Sequence, residues 1–113
     1  MTLKKTIKNA DLLRPNVFSS ELKAEWVYRL EDKVRMIIGV EPPERNYPED
    51  TELLCPLPYD NVYELYIVAM IDYYHGESDT YTNDMTMFNT AWNEAIAYLR
   101  RTHRPKSKGG FII

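Results

Sequence analysis

Residues 81–99 constrain the fold more tightly than any other stretch. Tyr81, Met85, Phe88, Trp92, Ala95 and Leu99 follow one another at steps of 4, 3, 4, 3 and 4 residues. That is one apolar seam on an α-helix; a strand would alternate at every second residue. Just upstream, residues 62–74 are apolar nearly all round, interrupted by Glu64 and Asp72. A helix without a wet face has to be covered on several sides. Folding the two stretches into an antiparallel hairpin, turned at His75-Gly76-Glu77, covers one of them. The rest of the cover must come from elsewhere in the chain or from other chains.

The remainder supplies two more helices. Residues 3–13 read as a short helix stopped by Pro15, because the residue before a proline disfavours the α region. Thr6, Asn9 and Asp11 form its polar side, while Leu3, Ile7, Ala10 and either Leu13 or Asp11 compete for the buried side. A second helix over 19–38 starts at Ser19 as N-cap, with Glu21 at the positive helix end and Phe18 folding back as a staple. Leu22, Trp26, Leu30, Val34 and Ile37, flanked by Val27 and Ile38, make its core face, and Gly39 stops it. The hairpin helices span 60–75, with Asp60 or Tyr59 near the N-cap, and 78–103. Arg100, Arg101 and Arg104 complement the dipole of the last helix before Pro105 breaks it.

Between the second and third helices, residues 39–58 hold five of the chain's seven prolines, a density that neither a helix nor a central strand tolerates. The expectation is an all-α bundle of about four helices in one domain, residues 1–104, built on a long C-terminal antiparallel hairpin. Its proline-rich acidic loop is expected to be mobile over 42–50 and anchored over 53–57. A flexible C-terminal tail occupies 105–113, ending in Phe111-Ile112-Ile113.

A length of 113 residues suits one domain with a modest core. The net charge of −3 is too small to demand a polyionic partner, yet its distribution is uneven: the middle of the chain is acidic and both flanks are basic. That arrangement suits head-to-tail contact between copies, and equally a solvated surface. A single cysteine, Cys55, rules out an internal disulfide and a cysteine-based zinc site. The first residues lack the apolar region of a signal peptide, and no apolar run reaches the ~20 residues that cross a bilayer. The chain therefore reads as intracellular where it is made.

Chemical motifs are sparse. His75 and His103 fall at opposite ends of the fourth helix, so they cannot share a metal within one subunit and read as surface or capping residues. Asp72, Glu77, Asp79 and Asp84 gather near the turn; paired carboxylates there serve acid–base work or a divalent cation, or simply solvate the turn and favour a helix N-terminus. Cys55 lies among apolar and acidic neighbours and reads as a semi-buried, inert thiol. Tyr63, Tyr66, Tyr73 and Tyr74 invite a nucleic-acid stacking role, but their helix carries no lysine or arginine. Large aromatic area with a polar tip suits a core margin or a subunit interface instead. The basic stretch Arg100, Arg101, Arg104, Lys106 and Lys108 is the one plausible nucleic-acid feature. The sequence contains no phosphate loop, catalytic triad pattern or dinucleotide fingerprint.

Four blocks carry a resemblance. They are Ala10-Asp11-Leu12-Leu13-Arg14-Pro15-Asn16 with Phe18, Lys23, Trp26 and Leu30; Asp50-Thr51-Glu52-Leu53-Leu54 with Pro58-Tyr59-Asp60 and Tyr63; Ile71-Asp72-Tyr73-Tyr74-His75-Gly76-Glu77 with Tyr81-Thr82-Asn83-Asp84-Met85 and Met87-Phe88-Asn89; and Arg101-Thr102-His103-Arg104-Pro105-Lys106. In order and spacing they resemble the small helical head–tail connector (adaptor) proteins of tailed phages and prophages of Gram-positive bacteria. Similar proteins often carry valine or a like residue where this chain has Cys55, a difference that bears on packing. The resemblance implies a non-enzymatic structural protein without cofactor, forming a ring (dodecameric in the family) beneath the portal. Its partners would be the portal and a tail-side or stopper protein. Its place would be the virion neck, after the host cytoplasm. Residues 100–113, with Arg100, Arg101, Arg104, Lys106, Lys108, Phe111, Ile112 and Ile113, are the expected partner contacts; Glu44, Glu49 and Asp50 are the expected contacts between copies. The rival expectation is a small DNA-binding regulator that uses the basic end. A weaker third is a metal-assisted enzyme at the acidic cluster over 72–84.

Overall fold

The computed structural model describes residues 1–40 and 50–103, and these form four α-helices with no strand among them. The helices are α1 (Leu3–Leu13), α2 (Ser20–Ile38), α3 (Asn61–Tyr74) and α4 (Ser78–Thr102). The fold is all-α. Glu44, Glu49, Arg104, Lys106, Lys108, Phe111, Ile112 and Ile113 lie outside the described residues, as does nearly all of the acidic loop over 42–50.

The helix ends follow from local chemistry. Thr2 caps α1 by accepting from the Lys5 amide, and Ser19 caps α2 by accepting from the Leu22 amide. Gly39 closes α2 in the left-handed region at φ 76°, with its N–H donated to the Arg35 carbonyl. Asp60 stands at the N-cap of α3 without capping through its side chain, and Arg100 and Arg101 occupy the last turn of α4.

α3 is the central element and packs against α1, α2 and α4. Much of its apolar circumference is thus covered by its own chain, while Tyr73 and Tyr74 at its C-terminal end stay more than half exposed. Ring contacts run Tyr73 to Tyr81, Tyr66 to Phe88 and Tyr59 to Tyr98, so α4 retraces α3 in the opposite direction. The buried stripe of α4 is Asp84, Phe88, Ala91, Ala95 and Leu99. Tyr81, Met85 and Trp92 are only half-buried, so the seam expected from sequence is rotated slightly and takes in an acid.

Residues 51–55 are strapped onto the bundle. The Leu3 amide donates to the Thr51 carbonyl at 3.1 Å and the Leu53 amide to the Met1 carbonyl at 3.0 Å. Leu53 and Cys55 are buried beneath this strap, whereas Leu57, expected to be anchored, is exposed. Other expectations also need correcting. Thr6 is fully buried rather than on a polar side, Leu13 and Leu22 are exposed, and Lys23 and Glu31 lie in the interior. Lys23 and Glu31 are accommodated inside because groups outside their helix meet them, Asp11 and Asn16 for the lysine, Tyr63 and the Leu54 amide for the glutamate.

Candidate functional site

At one end of the bundle, the α1–α2 connection meets the α3–α4 turn. Arg14, the C-cap of α1, reaches into this junction. Its Nε and Nη2 donate to Asp72 Oδ2 at 3.1 and 3.0 Å, and Nη2 lies 3.7 Å from Asp84 Oδ1. Asp72 and Asp84 are both buried, against the expectation that they solvate the turn; Glu77 and Asp79 do stay exposed. One guanidinium serves two carboxylates. Asp84 Oδ2 is buried without a protein donor, and burial, Asp72's proximity and its negative charge push the Asp84 carboxyl up to about 6 against the partial relief from Arg14. Protonated, Asp84 becomes a donor toward Asp72, which resolves the contact between two acceptors.

A second cluster sits beside it. Lys23 Nζ, almost wholly buried, donates to Asp11 at 2.8 and 3.0 Å and to Asn16 Oδ1 at 3.1 Å. The same Asn16 oxygen accepts from the Phe18 amide, and its amide group donates to Asp11 and the Arg14 carbonyl. Asn16 thereby folds the six-residue connection into one conformation. Phe18, expected to staple the start of α2, instead stacks on His75 at 5.2 Å and meets Trp26 and Tyr74 edge-on; Trp26 and Tyr74 stack at 5.7 Å.

The third cluster lies at mid-bundle. Tyr63 donates its hydroxyl to Glu31 Oε1 at 2.6 Å and accepts from the Cys55 amide at 2.9 Å, while the Leu54 amide donates to Glu31 Oε2 at 2.7 Å. Burial pushes the Glu31 carboxyl upward against these two donors. Burial and the nearby Glu31 also push the Tyr63 hydroxyl upward, so it remains a donor. Burial takes the Cys55 thiol up to about 11, and it is fully enclosed. A thiol in that state is neither an accessible nucleophile nor a metal ligand.

The three clusters gather residues from the first three sequence blocks. Asp11, Arg14, Asn16, Phe18, Lys23 and Trp26 from the first meet Asp72, Tyr74, His75 and Asp84 from the third. Tyr63 of the second block binds the strap that the same block forms. Most of these groups are spent on one another, although Asp84 Oδ2 lacks a protein donor and Tyr74 and His75 remain exposed. They hold the fold, and Asp11 among them also lines the open groove between α1 and α2. His75 and His103 lie at opposite ends of α4, separated by about 37 Å at the helical rise over its 25 residues, and His103 sits against the Leu99 carbonyl and the Thr102 hydroxyl. Among the described residues no group of three or more histidine, cysteine, aspartate or glutamate side chains is placed to hold a metal ion. Among them, too, no helix is long and apolar enough to cross a membrane.

The surface is where unspent groups stand. Arg100, Arg101 and Asp50 are exposed, and Arg101 lies over the Tyr98 ring at 5.7 Å. Leu12, Leu13 and Val17 form an apolar corner around the α1–α2 connection; Leu12 is 75% exposed and Val17 96%. Beside them, α1 and α2 enclose an open groove of about 580 Å³. Sequence reasoning missed both corner and groove, since Leu13 competes with Asp11 for the buried side and Leu12 carries no signal of its own until the register of α1 is fixed by Leu3, Ile7 and Ala10. Neither a protein-family model, nor a curated protein, nor a solved structure matches this chain.

Proposed function

We propose that the chain is a structural protein of the phage head–tail interface, acting without catalysis as an oligomeric connector ring that joins the portal to the tail. The observation that carries this reading is the convergence just described. The sequence blocks that resemble the connector family are built into internal clasps, so what they have in common is a scaffold and not an active site. A scaffold acts through what it displays. Here that is an apolar corner, a groove and the exposed arginines at the end of α4, from which residues 104–113 continue. The long α3–α4 hairpin is the rigid strut of the subunit, Glu44, Glu49 and Asp50 are the proposed contacts between copies, and the protein resides in the virion neck.

Light scattering on the purified chain, alone and then mixed with the portal protein from the same genome, tests the reading. A ring, or a saturable complex with the portal, is the expected result, and deletion of residues 105–113 should abolish head–tail joining. A monomer that ignores the portal, yet binds duplex DNA in a salt-dependent manner lost on that deletion, would replace the connector with the regulator that uses the basic end.

A further inference from the structure

The groove between α1 and α2 has an apolar floor of Leu3, Ile7, Leu12, Ala24 and Tyr28 and a polarised rim. Lys4 and Lys8 stand toward one end and Glu21 toward the other, beside Asp11, whose charge Lys23 already meets at 2.8 Å. The lysine end belongs to the end of the bundle where α4 finishes. There α1 begins against Thr51, and Tyr59 stacks on Tyr98 at 4.7 Å. The acidic end lies at the opposite end of the bundle, by the clasp of Arg14 with Asp72 and of Phe18 with His75.

Residues 104–113 have a matching polarity: Arg104, Lys106 and Lys108 come first, then two glycines, then Phe111, Ile112 and Ile113. Laid in the groove with basic residues at the acidic end and apolar residues on the floor, this segment must enter from the acidic end. Extended chain covers ~3.3 Å per residue, so its eight residues from 106 to 113 suffice for the roughly 14 Å that α1 rises between Leu3 and Leu12. The chain's own α4 delivers it at the other end, where Lys4 and Lys8 repel its first residues. A second copy packed head to tail has no such conflict.

We propose that the α1–α2 groove is the docking site for residues 104–113 of a neighbouring copy, with Phe111, Ile112 and Ile113 on the floor and Arg104, Lys106 and Lys108 beside Glu21. The inference rests on the reading of the chain as self-assembling and adds where one copy grips the next. Charge order sets direction, and the apolar trio removes from water the Leu12 flank left bare in a single chain.

The test uses the full chain carrying Leu12→Cys and Ile112→Cys, oxidised mildly with and without the portal and resolved on a non-reducing gel; Cys55 is enclosed and stays in place. Covalent dimers and longer ladders are expected. A disulfide closed within one chain, or equal cross-linking when Leu57→Cys replaces Leu12→Cys, would overturn the proposal. In parallel, Leu12→Asp changes a side chain that is already mostly in water, so the fold and its thermal midpoint should not move. The concentration needed for self-association should rise at least tenfold. Unchanged association in that variant would overturn the groove while leaving the ring intact. A parent chain that never self-associates, alone or with the portal, would overturn both.

Discussion

Most buried polar residues of this chain come in sets that satisfy one another, Thr6 Oγ1 and Asp84 Oδ2 excepted, and the cost of breaking a set is set by what is stranded. Tyr63→Phe keeps the ring and removes one oxygen, but it leaves the Cys55 amide without an acceptor and Glu31 with one donor fewer. A stranded buried donor costs ~1–3 kcal/mol, so a urea titration should show a loss of about 2–3 kcal/mol. Arg14→Ala strands two buried carboxylates. Removing one partner of a buried pair costs ~3–5 kcal/mol, and the part-exposed guanidinium puts the expected loss near about 3 kcal/mol. Asp84 behaves oppositely. Its carboxyl is raised to about 6 in the fold from an unfolded value near 3.9, so the folded state binds the extra proton. Its contribution to stability is complete below the unfolded value and is lost as pH rises through about 6. Asp84→Asn places an amide donor opposite Asp72 at every pH. It should flatten the stability profile across that window and raise stability at pH 7 by about 1 kcal/mol, read from denaturation midpoints at a series of pH values.

The helices themselves were legible because their signals are local. Ser19, Gly39 and Pro15 act through neighbours a few residues away, and the apolar steps from Phe88 to Leu99 need no knowledge of a partner. The site was less legible because its groups meet across the chain. Asp72 is 58 residues from Arg14, Tyr63 is 32 from Glu31, and no periodicity foretells that an acid on an apolar arc will find its cation or donor there. Lys23, which meets Asp11, was missed for the same reason. The exposed corner was misread in the converse way: a leucine looks buried until register turns it outward. A local signal of the legible kind is Gly76, which joins α3 to α4 at φ +76°. There a Cβ would meet open space but an unfavourable backbone region. Gly76→Ala should therefore lower stability by about 1 kcal/mol without changing helix content by circular dichroism. A larger loss would mean that the turn is held by more than its backbone conformation.

At the scale of the whole molecule, the apolar circumference of α3 poses the question of where assembly enters. If neighbouring copies completed the core, folding and association would be one event, and the chain would unfold on dilution. The packing argues for separation of the two. Val62, Tyr63, Ile67, Ala69 and Ile71 are all fully buried within a single chain, by α1 and α2 as well as α4. The large apolar side chains left in water include Val17, Leu12 and Leu13 at the α1–α2 corner, with Leu57 and Met36 elsewhere. Subunits would then arrive folded and associate through surfaces. Accordingly, in the range where light scattering finds single chains, the urea midpoint should stay constant over a hundredfold dilution and the unfolding should follow one cooperative transition. A midpoint that falls with dilution would place the completion of the core between copies, and would make Leu12 and its neighbours part of folding instead of docking.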